Sequence, residues 1–159
     1  MNIKLLLIVG LAFMAGLTVF SFLSPSADNA GKGIALTVQG DCELSTDSVC
    51  TALDNEGHKV SFSLSPRPVP LLKDVQVVAT VQGLQHIRTA QVSIEGVNMY
   101  MGIQIIPLEI AAAAAESRLS GTMQLPICTS RIMEWKATLI LQTADQVYRA
   151  AFPFTTTAS

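Results

Sequence analysis

Two hydrophobic patterns divide this chain. Residues 5–24, LLLIVGLAFMAGLTVFSFLS, form an uncharged apolar run behind MNIK. At helical rise such a run spans roughly 30 Å, the hydrocarbon thickness of a bilayer. From Gly33 onward the pattern changes to apolar/polar alternation at period two, which predicts half-buried strands. Ile34, Leu36 and Val38 share one phase, and Val60, Phe62 and Leu64 form a second set. Pro66, Pro68 and Pro70 then interrupt as an extended loop or edge segment. Val75, Val77, Ala79 and Val81 resume the alternation until Gly83, followed by Ala90, Val92 and Ile94. Trp135, Ala137, Leu139 and Leu141 and then Tyr148, Ala150, Phe152 and Phe154 flank the short segment TADQ, which predicts a C-terminal hairpin.

With strands at residues 97–105 and 119–125 added, roughly seven to eight strands occupy about 125 residues. That spacing predicts an all-β, immunoglobulin-like β-sandwich preceded by a single N-terminal transmembrane helix. The alanine-rich stretch 110–116 is too short for an isolated helix and reads as a strand end or one helical turn. The expected organisation is an anchor or signal peptide over residues 1–24, a tether of small polar residues over 25–32, and a β-sandwich domain over 33–157.

Charge sets the orientation. Lys4 and the α-amino group precede the apolar run, so the positive-inside tendency keeps that side cytoplasmic and sends the remainder to the periplasm or cell exterior. A cleaved signal peptide is the rival, with Ser24-Pro25-Ser26 as its small-residue site, although its apolar core would ordinarily be shorter. The formal net charge is −2 and no block of like charge occurs. There is no basic face of the kind nucleic acid requires.

Export exposes three cysteines, Cys42, Cys50 and Cys128, to an oxidising compartment. All three are disulfide candidates, and any single pairing leaves one thiol over. Sulfur is also supplied by Met99 and Met101, a Met-x-Met pair, and by Met123 and Met133. Met99, Met101, Cys128 and Met133 form a candidate Cu(I) set, since soft sulfur donors select that ion. The competing reading is packing: Val97, Met99, Met101, Ile103 and Ile105 share one strand phase, Met123 is in phase with Leu119 and Leu125, and methionine fills cores readily. A bulge at Gly96 or Gly102 would reverse that phase.

His58, after the turn Asn55-Glu56-Gly57, is expected to be exposed, and His86 to begin a strand. Neither has a second histidine or a carboxylate at ligand spacing, which argues against zinc. Asp41, Glu43 and Asp47 read as a solvated loop. None of the G-x-S-x-G, phosphate-loop, H-E-x-x-H or C-x-x-C patterns occurs, so the chain reads as non-enzymatic.

The positions Gly96, Asn98, Met99, Met101 and Gly102, followed by Gly121, Leu125, Pro126, Cys128, Met133 and Trp135, resemble a group of small bacterial membrane-anchored proteins, the FixH and YtkA-like class. The resemblance covers about forty residues in sequence and the rest in architecture only. It implies one span of the inner membrane, a periplasmic β-sandwich, and a role around copper supply or cytochrome oxidase assembly. Implied partners are a membrane oxidase subunit or a copper chaperone of the Sco type. A metal-free module docking an inner-membrane complex is the alternative.

Overall fold

The computed structural model describes residues 33–113 and 116–158. The expected anchor and tether lie outside the described residues. Within them the chain is all-β. Its strands are β1 (Ile34–Val38), β2 (Cys50–Leu53), β3 (Lys59–Ser65), β4 (Val75–Gln82), β5 (Thr89–Gly96), β6 (Ile103–Pro107), β7 (Glu109–Ala112), β8 (Glu116–Met123), β9 (Ile132–Gln142) and β10 (Val147–Thr157).

One hydrogen-bonded sheet runs in the order β6-β5-β9-β10-β1-β2-β3-β4-β8-β7. It folds back on itself, because Phe62 of β3 stacks on Phe152 of β10 with ring centroids 4.8 Å apart, although two strands separate them in the sheet. β1 makes the turn. Ile34, Ala35 and Leu36 pair in parallel with Tyr148, Arg149 and Ala150, and Thr37 and Val38 then pair antiparallel with Leu53 and Ala52. On the far side the stretch containing β6 and β7 does the same, pairing first with β5 and then with β8. It crosses over Gly121, where a Cβ would sit 2.7 Å from the Leu108 side chain and 3.0 Å from the Pro107 carbonyl.

The expected alternation is borne out strand by strand. The inward sets on β3, β4, β5, β9 and β10 are buried, and Met123 and Met133 are buried with them. The C-terminal hairpin closes with Thr143 and Gln146 bonded across its turn. β2 was not expected, while β7 enters the alanine-rich stretch, for which a strand end was one of the two readings. Both are four residues long, too short to show a period.

The segment 97–105 departs from expectation. Residues 97–102 form a turn and β6 begins only at Ile103. Val97, Met99, Ile103 and Ile105 are exposed, so their shared phase does not mark a buried face. Two glycines account for it. At Gly96 the chain folds back so tightly that a Cβ would overlap the Met99 carbonyl, and Gly102 has φ 81°, a left-handed conformation that only glycine adopts without strain.

Candidate functional site

Antiparallel neighbours place loops 39–49, 66–74, 97–102 and 124–131 at one end of the sheet. Gly33 and the connections 54–58, 83–88 and 143–146 lie at the other. The end carrying the four long loops holds the sulfur of the described residues.

Loop 97–102 is fixed against the start of β9. Val97 N–H donates to the Glu134 carbonyl at 2.8 Å. The Asn98 side chain donates to the Ile132 carbonyl at 3.0 Å and accepts from the Glu134 amide at 3.1 Å, replacing the ladder that β5 leaves unfinished. This clamp sets Met99 beside loop 124–131. There the Ser130 amide donates to Cys128 Sγ at 3.1 Å, orienting the half-buried thiol, and Sγ stands 3.7 Å from Met99 Sδ.

Four sulfur residues formed the candidate set, and the structure sorts them. Met99 and Cys128 meet at the surface. Met133 lies in the core with its methyl group beneath the Gly96 turn, and Met101 is half-buried against that core. Two sulfurs bound at about 2.3 Å to one tetrahedral ion would lie roughly 3.8 Å apart. The Met99–Cys128 spacing is therefore compatible with two donors to one soft cation. On the same two loops and at the start of β9, the apolar residues Val97 (60 % exposed), Tyr100 (84 %), Ile127 (59 %) and Ile132 (55 %) are exposed. Such a concentration at one end of a small domain is uncommon for a surface without a partner.

Of the three disulfide candidates, Cys42 and Cys50 pair, and Cys128 is a free thiol. The bridge cinches the loop between β1 and β2, which is not the freely solvated loop expected from Asp41, Glu43 and Asp47. Leu44 is fully buried, and its amide donates to the Pro153 carbonyl at 3.1 Å. Glu43 accepts from the Ser45 and Thr155 hydroxyls, and Asp47 accepts from the Glu43 amide at 2.8 Å. Cys42, Asp47 and Cys50 lie close together, but both sulfurs are consumed by the disulfide.

His58 is also corrected. It is largely buried, with Nδ1 2.6 Å from Asp54 Oδ2 and its ring edge-on to Tyr148. A carboxylate does stand within reach, four residues back, because the turn folds Asp54 onto it. Asp54, Glu56 and His58 offer ligand atoms within 4.8 Å of one another. Yet Asp54 Oδ1 already accepts the Glu56 and His58 amides, both at 2.9 Å, which is the geometry of a turn lock. His86 lies in the connection before β5, exposed and at φ 55°.

No family model matches this chain, and no curated protein and no solved structure matches it.

Proposed function

We propose that this chain is a non-enzymatic accessory protein of the bacterial inner membrane, with an immunoglobulin-like β-sandwich held in the periplasm by its N-terminal helix, and that it handles Cu(I) as cargo. The observation that carries the metal reading is the 3.7 Å approach of Cys128 Sγ to Met99 Sδ, made by two loops distant in sequence. A thiol and a thioether are soft donors, and two of them leave coordination positions open. That suits an ion held for transfer rather than stored. The membrane and the oxidase-assembly role rest on the apolar run 5–24 and on the FixH and YtkA-like resemblance.

A second reading, a metal-free module that docks a membrane complex, is favoured by the exposed apolar residues Val97, Tyr100, Ile127 and Ile132. Anaerobic calorimetric titration of the full chain in detergent with Cu(I) separates the two. Ascorbate is the reductant, so that the Cys42–Cys50 bridge stays closed. The expected result is one ion per chain, with affinity falling at least tenfold in Met99→Leu and in Cys128→Ser. Absence of stoichiometric binding, or binding indifferent to both substitutions, leaves the docking reading.

A further inference from the structure

A separate groove lies at the same end, where β1 leaves β10. Beyond Leu36 the first strand turns toward β2, and the edge of β10 from Pro153 onward is covered only by the loop that Leu44 plugs. Pro153 fits this margin because it has no N–H to leave unpaired. Between that loop, β10 and the start of β9 opens a cavity of about 560 Å³, within the range of a ligand site. Its apolar lining comes from Val38, Val97 and Pro153, backed by the buried rings of Trp135 and Phe154, which stack 6.2 Å apart. Its polar rim carries Asp41, Glu43 and Glu134.

The charge of this rim is one-sided. Among the described residues no lysine or arginine lines the groove, and none of the three carboxylates forms an ion pair. The nearby Lys136 is turned to Glu95 at 2.6 Å, which leaves Glu134 uncompensated. Three anions around an apolar floor match a ligand with cationic heads and apolar stems, the chemistry of lysine and arginine side chains. We propose that the groove receives an extended, lysine- or arginine-bearing segment of a partner polypeptide. Alternate side chains of an extended segment would set apolar groups over Val38 and Val97 and cations against the rim. The proposal does not rest on the sulfur pair and holds with no metal present.

Trp135 is the only tryptophan in the chain and backs the wall of this groove, so its fluorescence senses a change there. The experiment titrates the full chain, in zwitterionic detergent and without metal, with acetyl-Lys-Leu-Lys-Leu-Lys-amide. The expected result is a saturable change in tryptophan emission, weakened by added salt and at least tenfold weaker in the double variant Asp41→Lys, Glu134→Lys. Both substituted positions are exposed, and Asp145→Lys at the opposite end should leave the affinity unchanged. No saturable change, equal binding of the peptide with glutamates in place of lysines, or an equal loss in Asp145→Lys overturns the proposal. So does an equal response to spermidine, which would make the occupant a small cation.

Discussion

At the scale of single residues, the far end of the domain depends on Asp54. Burial alone would raise its pKa, but hydrogen bonds from the His58 ring and from the His58 and Glu56 amides, with the His58 charge, outweigh it and hold the carboxyl below its ordinary range. A depressed folded-state value means the stabilisation is present above the unfolded-state pKa and is lost as pH falls through the folded one. The urea midpoint should therefore drop as pH is lowered below about 4, and Asp54→Asn should remove part of that dependence while lowering the midpoint at neutral pH. A pH profile unchanged by Asp54→Asn would mean the turn lock contributes nothing to folding. Tyr148, edge-on to His58, is shifted the other way: burial and then the charges of Glu56, Asp54 and Asp145 raise its pKa, so it stays a neutral core residue in the physiological range.

At the scale of elements, the loop between β1 and β2 behaves as a structural unit because three restraints coincide in it. These are the Cys42–Cys50 bridge, the buried Leu44 and the bonds that the Thr155 amide and hydroxyl donate to Ser45 and Glu43. Replacing both cysteines by serine should cost about 2–3 kcal/mol from the chain entropy of so short a loop. Thermal melts should show it, and a shift under about 0.5 kcal/mol would mean that Leu44 and Glu43 hold the loop without the bridge. Sequence reading reached the long strands because each repeats its inward residue three times or more. It missed the turn at 97–102, since Val97, Met99 and Met101 look the same in phase whether they line a strand or rim a loop. The signals that separate the cases were Gly96 and Gly102. Sulfur chemistry put Met99 and Cys128 in one candidate set without showing their contact, and the His58–Asp54 pair was not legible at all. The contact joins loops distant in the chain, and the pair depends on the curl of one turn.

At the scale of the whole molecule, the Phe62–Phe152 stack and the Trp135 N–H bond to Thr156, 2.9 Å and buried, tie β9 and β10 into the core from which the remaining strands hang. A chain ending at Gln146 would lose β10, exposing the edges of β9 and β1 together. It should show no cooperative unfolding transition by circular dichroism and should aggregate; a sigmoidal melt would show that the rest folds independently. The parallel pairing of Ile34 with Tyr148 has a further consequence in time. The first strand leaves the ribosome about 110 residues before the strand it must lie beside, an interval of roughly 6–20 s at ordinary elongation rates. For all of it β1 lacks its β10 neighbour, so closure of the sheet waits until β10 has emerged. Any holdase that meets this protein will meet it with that edge bare.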